Sequence, residues 1–321
     1  MSASLASTSA SIRQGSTPSL QTRRQFLQSG TAALVCGSTS LSTRRLLASP
    51  FGLPIGLQLY SVRELLPKDY AGVLRQIAAL GYRDVEAAGF FNHTASDVKQ
   101  AMSDAGLRCV SAHYGLTELQ NNLDKIIDFH KKLAAEYIIC SFPGIKDPTR
   151  LKNSSHASIV QSFTMDDWHW NAEQFNQIGP KVKAAGLKFG YHNHTMEFGA
   201  QNGAVPFDEL IRLTDPALVT FEMDCGWVTV GGGDPAAYLR KYPDRISMLH
   251  IKDFKHTGKP ASITAPPPAA ELGRGTVDFP AIFQAAQKGK IKHYFVEQEE
   301  FDIPPFEALK IDADYMKKLN A

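Results

Sequence analysis

Short apolar, β-branched runs alternate with longer amphipathic stretches from residue 55 onward. The alternation repeats roughly every 25 to 35 residues, the size of one strand–helix unit. Eight parallel strands joined by helices predict an α/β fold, a (β/α)8 TIM barrel in one domain. The predicted strands are IGLQLYSV (55–62), DVEAAG (84–89), RCVSAHYG (108–115), YIICSFPG (137–144), KFGYHNH (188–194), VTFEMDCG (219–226), ISMLHIKD (246–253) and HYFVEQEE (293–300).

The segments between these strands have the spacing of amphipathic helices. YAGVLRQIAALG, ASDVKQAMSDAG and AEQFNQIGPKVKAAG each close with a glycine, which suits a helix C-terminus. An open doubly wound sheet is the alternative fold, but no glycine-rich phosphate loop follows the first predicted strand. No long Pro- or Ser-rich linker divides residues 49–321, so we expect one barrel domain there.

Two connections, 146–167 and 254–278, are longer than a barrel requires. Both follow the C-terminal ends of predicted strands, where TIM barrels carry their active sites. We therefore expect lids over a site, and surface insertions without function are the alternative.

The first 48 residues contain five arginines and no lysine, aspartate or glutamate. TRRQFLQ (22–28), followed by a weakly apolar run, resembles a twin-arginine export signal. We predict a signal peptide over 1–48 and a periplasmic protein, with an internal amphipathic helix as the alternative. The run is too short and too polar for a permanent membrane span. Without the five arginines the formal net charge falls from +2 to −3, which gives no electrostatic reason to expect nucleic-acid binding.

Pairs of polar residues end predicted strands five to eight. Residues two apart on a strand share a face, so each pair points the same way. These strand ends converge in a barrel, and several buried carboxylates need a cation or protons to offset their charge. The sequence thus predicts a divalent metal ion (Mn, Co, Zn or Mg), although any one histidine has the alternative of a hydrogen-bonded core residue. The pairs are His192 and His194, Glu222 and Asp224, His250 and Lys252, and Glu297 and Glu299.

Six motifs in order over residues 52–321 are LQLYSVR, YHNHTMEF, MDCGW, HIKDF, LGRGTVDF and VEQEE. Together they resemble the xylose isomerase-like TIM barrel superfamily, especially its exported branch labelled sugar phosphate isomerase/epimerase. Relatives in that superfamily include ketose epimerases, inosose dehydratase, endonuclease IV and enzymes that eliminate aglycones from 3-keto-glycosides.

The resemblance implies a metal held by a Glu on strand five, an Asp on six, a His on seven and a Glu on eight. The matching positions here are His192, Asp224, His250 and Glu297. Histidine replaces the strand-five glutamate, which argues against a plain epimerase, and His194 is the neighbouring candidate. One histidine is therefore expected on the metal and the other facing the substrate.

A metal that grips a carbonyl and its neighbouring hydroxyl stabilises an enediolate, so the adjacent C–H becomes more acidic. The protein must then supply a base, and Lys252 is expected to act as an acid or to stabilise the oxyanion. Lys252 could instead form a salt bridge with Asp253 or another carboxylate. Glu86 could instead pair with a cation in the barrel floor. The candidate bases are Glu86, His113, His194 and Glu299.

Aromatic residues near the strand ends could provide apolar faces for a pyranose ring, or they could simply pack. The candidates are Tyr60, Tyr114, Trp227 and Phe254.

These expectations describe a metal-dependent sugar isomerase/epimerase-like enzyme that abstracts an α-proton from a sugar or keto-sugar. Loss of a β-leaving group, as in a 3-keto-glycoside lyase, is the alternative outcome, and residue types do not separate the two. Export disfavours a phosphorylated substrate. An endonuclease IV-like phosphodiesterase is disfavoured by the charge of −3, and a non-catalytic sugar-binding barrel by the surplus of acid and base groups. We expect a small carbohydrate and no nucleic acid as partners, and the sequence leaves a homo-oligomer open.

Overall fold

The computed structural model describes residues 49–151, 156–258 and 265–319. Eight parallel strands close into a barrel, with helices in the connections between them. The predicted TIM barrel is therefore confirmed. The predicted signal peptide over 1–48 lies outside the described residues.

The barrel strands follow one another around the ring in chain order, and the last pairs with the first. They are β1 (Gly56–Gln58), β2 (Asp84–Ala87), β3 (Arg108–Gly115), β4 (Tyr137–Phe142), β5 (Lys188–His192), β6 (Val219–Asp224), β7 (Ile246–Ile251) and β10 (His293–Val296). A short antiparallel pair, β8 (Asp253–Phe254) and β9 (Ala269–Ala270), lies in the connection between β7 and β10.

Helices fill the connections, and several begin at a side-chain cap, as at Asp69, Thr94 and Thr164. Gly81 and Gly106 follow two of them with positive φ, so the glycines predicted to end these helices do so. The α-helices are α1 (Tyr70–Leu80), α2 (Ala95–Ala105), α3 (Leu116–Leu133), α4 (His156–Ser162), α5 (Met165–Ala184), α6 (Pro206–Leu213), α7 (Cys225–Val230), α8 (Pro235–Lys241), α9 (Phe279–Ala286) and α10 (Pro305–Lys318). No described helix is both long and apolar enough to cross a bilayer.

Most barrel strands begin where the sequence predicts but end earlier. At β6 the physical reason is a helix cap, because Asp224 Oδ1 accepts a hydrogen bond from the Trp227 amide at 2.7 Å and α7 starts at once. Because β5, β7 and β10 also end earlier than predicted, four of the candidate residues lie just past the strands, in the loops of the C-terminal face. They are His194, Lys252, Glu297 and Glu299.

An apolar layer inside the barrel supports the polar strand ends. It is a buried cluster separate from the larger core between strands and helices. Met248 and Phe295 belong to this layer. His250 and Glu297 follow them two residues later along the chain. The change from apolar to polar side chains therefore takes place within the barrel. The layer consists of Val110, Tyr137, Ile139, Met248 and Phe295.

Candidate active site

A cavity of about 770 Å³ opens at the C-terminal ends of the strands. The wall includes Val160 and Pro266, one from each of the two long connections, whose predicted role as lids stays a prediction. Polar wall residues include His113, His192, His194, Glu297 and Glu299, and the aromatic ones are Tyr60, Phe90, Tyr114, Phe142 and Trp227. Three of the four aromatic residues predicted to face the sugar thus line the cavity, whereas Phe254 packs on Trp227 with ring centroids 4.8 Å apart.

His250 stands at the centre of a buried polar cluster beside this cavity, and each ring nitrogen faces a different group of side chains. Nε2 faces what we call the inner group, and Nδ1 faces the outer group. The inner group is Glu86, His113, His192, Glu222 and His250; the outer group is Asp224, His250 and Glu297.

In the inner group, three imidazole nitrogens surround one carboxylate oxygen. Oε2 of Glu222 lies 2.8 Å from His113 Nε2, 3.3 Å from His192 Nδ1 and 3.4 Å from His250 Nε2. Oε1 of Glu86 lies 2.7 Å from both His113 Nε2 and His250 Nε2. Glu86, Glu222 and His250 are fully buried, so these contacts are shielded from water.

Glu86 is held from the side of β1 and β3. Gln58 Nε2 donates to Glu86 Oε1 at 2.8 Å, and Ser111 donates a short hydrogen bond to Oε2. The partners of this carboxylate are thus imidazoles, an amide and a hydroxyl rather than a Lys or Arg in the barrel floor. Glu86 is also absent from the cavity wall.

The outer group already contains a cation. Lys252 Nζ lies 2.8 Å from Glu297 Oε2 and 3.7 Å from Asp224 Oδ2, and it bonds Glu299. The same ammonium sits 4.6 Å from the centre of the Trp227 ring. Lys252 is only 1% exposed. Its salt bridges are with these carboxylates and not with its neighbour Asp253, the other partner considered from the sequence.

Burial and charge act in opposite directions on the buried acids. Burial raises the pKa of Glu222 to about 7 and that of Asp224 to about 6. Burial also acts to raise the pKa of Glu86 and Glu297, but neighbouring cations outweigh it and hold both far below the usual range. For Glu297 the main one is Lys252.

The pKa values of the histidines are also set by the balance between burial and neighbouring charges. Burial, aided by the charge of Lys252, lowers the pKa of His194 to about 3, so its imidazole is neutral at pH 7. Burial likewise holds the pKa of His192 well below its ordinary value. For His113, burial is outweighed by Glu86 and Glu222, and the pKa rises to about 9. The site therefore holds neutral and charged imidazoles side by side.

The donor atoms fit a divalent metal ion. His192 Nδ1, Glu222 Oε1 and Asp224 Oδ2 are buried and make no hydrogen bond. In each of the two groups, one donor atom per residue lies within 4.8 Å of the others. The inner set consists of His113, His192, Glu222 and His250, and the outer set of Asp224, His250 and Glu297. Buried imidazole and carboxylate donors without hydrogen-bond partners are the usual make-up of a metal site.

The four residues predicted to bind the metal are all in this cluster, but they divide between its two halves. His192 lies in the inner group, Asp224 and Glu297 in the outer group, and His250 in both. Among the predicted bases, His194 and Glu299 line the cavity, His113 lines it while held by two carboxylates, and Glu86 lies behind it.

Sequence reasoning missed several members of the site. Gln58 and Ser111 hold Glu86, and Ser111 could have been found because it precedes His113 by two residues on the same strand. Glu197, also fully buried, accepts hydrogen bonds from the Tyr191 hydroxyl at 2.5 Å and from the His194 amide at 3.0 Å. It thereby fixes the turn that carries His194.

Comparison with known proteins gives the family. Residues 74–319 match the xylose isomerase-like TIM barrel family, and the chain belongs to it. The resemblance drawn from the motifs is therefore confirmed.

Several of the similar proteins are carbohydrate-modifying enzymes by name. An inosose dehydratase of Lacticaseibacillus casei is 26% identical over 266 residues, covering 73% of this chain and 85% of that protein. A sugar phosphate isomerase/epimerase of Parabacteroides distasonis, solved by crystallography, is 30% identical with a TM-score of 0.66, covering 81% of this chain and 96% of that one. The structure of the IOLI protein, solved with a bound zinc atom, matches with a TM-score of 0.64 at 11% identity. The match covers 84% of this chain and 98% of that one and shows a shared fold.

Proposed function

We propose that this chain is a carbohydrate-modifying enzyme that removes a proton next to a carbonyl group of a sugar or keto-sugar, with a divalent metal ion at the His250 cluster. The observation that carries the proposal is the cluster itself, in which buried carboxylates and imidazoles with unpartnered donor atoms border a cavity of about 770 Å³. The enzymes named among the similar proteins support the class of reaction.

His250 and the imidazoles and carboxylates around it would hold the metal ion. A cation bound there supplies positive charge for the oxygen that becomes negative when the substrate loses its proton. The zinc atom in the IOLI structure supports a divalent ion on this fold.

The chain's own groups then move the proton. His194 and Glu299 both line the cavity, and His194 Nδ1 makes no hydrogen bond. We assign the proton transfer to these two residues, because Glu86 lies behind the wall. Lys252, bonded to Glu299, holds that carboxylate in place.

The substrate is proposed to carry no phosphate group. The described residues that line the cavity include no lysine or arginine, the side chains that most often bind a phosphate. Glu118, Glu297, Glu299 and Glu300 give the wall negative charge instead. An unphosphorylated sugar also agrees with the proposed export to the periplasm.

Elimination is a second candidate for the step that follows proton removal. The inosose dehydratases among the similar proteins favour it, because by name they remove water from their substrate. A 3-keto-glycoside that loses its aglycone would undergo the same type of step.

The test is proton exchange with solvent. The protein and its His250→Ala variant would be incubated in D₂O with keto-sugars and 3-keto-glycosides, and deuterium next to the carbonyl followed by NMR. We expect metal-dependent deuterium incorporation by the parent. In the variant the exchange rate should fall at least 100-fold, which corresponds to a rise of about 3 kcal/mol in the activation free energy. The appearance of a free aglycone or an alkene would identify elimination. A sugar that binds without any exchange or turnover would contradict the proposal and indicate a binding protein.

A further inference from the structure

We propose that Tyr60 and Arg63 form a second binding site at the mouth of the cavity, which takes an aromatic ring joined to the reacting sugar. Tyr60 lies in the short 3-10 helix Leu59–Val62, directly after β1, and Arg63 follows that helix. The inference rests on the proposed function and deepens it, because the substrate becomes a glycoside with an aromatic group rather than a free sugar.

The burial of the wall residues shows which end of the cavity faces solvent. His192 and Glu297, at the end that borders the polar cluster, are buried. Tyr60, in contrast, is 40% exposed, and it is the only exposed large hydrophobic side chain in the described part of the chain. Tyr60 therefore lies at the mouth, and the reacting sugar would occupy the deep end.

The cavity has more room than one sugar needs. Its volume of about 770 Å³ is that of a site for a drug-sized molecule, since such sites measure about 300–1,000 Å³. A single pyranose ring is much smaller than a drug-sized molecule. A sugar at the deep end thus leaves space toward the mouth for a second group, and that group would reach Tyr60.

The Tyr60 ring is held in place although it is exposed. The guanidinium carbon of Arg63 lies 4.1 Å from the centre of the ring, a cation–π contact that covers one face. Arg63 also donates hydrogen bonds to the carbonyl oxygens of Tyr60 at 2.9 Å and Glu299 at 3.3 Å. The Tyr60 amide donates to Gln58 Oε1 at 3.0 Å. A ring fixed in this way loses little further freedom when a ligand stacks on it.

The other face of the Tyr60 ring is available to a ligand. Among residues 49–151, 156–258 and 265–319, no aromatic ring packs against Tyr60. Other aromatic residues of the wall do have such neighbours: Trp227 lies 4.8 Å from Phe254, and Phe142 lies 6.3 Å from His194, between ring centroids. A flat ring stacked on Tyr60 would remove apolar surface of both rings from water.

The charge of Arg63 favours an aromatic ring over a second sugar. The C–H bonds of a sugar carry partial positive charge and are attracted by the negative face of an aromatic ring. A guanidinium on the opposite face weakens that attraction, whereas it lessens the repulsion between two stacked aromatic faces. We therefore assign the mouth to an aromatic group.

A pair of ligands and a pair of variants test the assignment. The parent with added Zn²⁺, Tyr60→Ala and Tyr60→Phe would be titrated by calorimetry with phenyl and methyl glucosides, each in both anomeric forms. These ligands have no carbonyl group, so the titration measures binding without the proposed reaction. Methyl β-cellobioside, which carries a second sugar ring, is the third ligand, and circular dichroism reports the folding of each variant.

The parent should bind a phenyl glucoside at least about tenfold more tightly than the methyl glucoside, because only the phenyl ring is buried on Tyr60. Tyr60→Ala should lose this preference and Tyr60→Phe should keep it, while binding of the methyl glucoside changes less than about twofold in either variant, since the sugar end is untouched. Arg63→Ala leaves the ring in place without its support and should reduce the preference by about threefold.

Equal binding of phenyl and methyl glucosides by the parent, or a preference that survives in folded Tyr60→Ala, would overturn the inference. Tyr60-dependent binding of the cellobioside in place of the phenyl glucoside would overturn the assignment to an aromatic ring. Deuterium exchange by a parent without the phenyl preference would leave the proposed function standing. A phenyl preference in a parent that shows neither exchange nor turnover would contradict the proposed function and leave the binding site in place.

Discussion

Two regions with buried carboxylates lie next to each other in this molecule, and they use different partners. Around His250 the carboxylates face imidazole rings and an ammonium. Three residues later, Asp253 faces only backbone: its two oxygens accept hydrogen bonds from the amides of Phe254, Gly273, Gly275 and Val277 at 2.9 to 3.1 Å. The first region suits metal binding and proton transfer, and the second fastens a loop.

The loop is the LGRGTVDF motif. A second buried carboxylate, Asp312 of α10, accepts the Leu272 amide at 2.8 Å. A side chain at position 275 would collide with Asp253, which explains the glycine there. Burial of a carboxylate is therefore no sign of catalysis by itself, because the chemical type of its partners decides its role.

Removal of the lysine from the first region should have the largest effect on stability. Lys252→Met leaves Asp224, Glu297 and Glu299 without their ammonium, and loss of one partner of a buried ion pair costs about 3–5 kcal/mol. We expect a fall of that size in the free energy of unfolding of the metal-free protein, measured with urea.

Lys255→Met is the control, because Lys255 pairs with exposed Asp302 and should cost less than about 1 kcal/mol. Added Zn²⁺ or Mn²⁺ should restore part of the stability of Lys252→Met, since the outer group is then open to a cation. Equal losses in the two variants would show that the outer carboxylates need no compensation.

Asp253→Asn should destabilise the second region and leave the first intact. Two of the four backbone amides lose their acceptor, and we expect a cost of about 2–3 kcal/mol. Metal content per chain should stay at the parent value, in contrast with His250→Ala. Urea unfolding and elemental analysis of the same sample check both parts. Loss of metal in Asp253→Asn would show that the two regions are not functionally separate.

The smallest effect should depend on pH. Burial, together with Glu271 and Asp253, raises the pKa of Asp312 to about 7, while the hydrogen bond from the Leu272 amide and the charge of Arg274 oppose the shift. The folded protein therefore loses stability as pH rises from about 4 to about 7, because the unfolded chain ionises more readily. Asp312→Asn should match the parent near pH 4 and be the more stable of the two at pH 8, because only the parent then carries a buried charge at position 312. Thermal unfolding at both pH values checks this, and a parent as stable as the variant at pH 8 would speak against the shift.

The barrel and the identity of the polar residues could be predicted from the sequence, because strand periodicity and the order of the elements determine them. The division into inner and outer groups could not. Register shifts occur between Val85 and Glu86 and between Phe221 and Glu222, just before two inner carboxylates. Such irregularities change how far along the barrel a side chain projects, and alternation along a strand does not reveal them.

The role of Asp253 was also hidden. It follows Lys252 directly, so a salt bridge between the two was a reasonable expectation, yet three of its four partners come from 20 to 24 residues further along the chain. Contacts that depend on the path of a long loop leave no periodic pattern in the sequence.

The most direct measurement is the position of a bound ion in crystals grown with Zn²⁺ or Co²⁺, found by anomalous diffraction. The account predicts one anomalous peak at the His250 cluster, within coordination distance of a ring nitrogen of His250 and of a buried carboxylate beside it. The absence of any peak at this cluster would contradict the metal site.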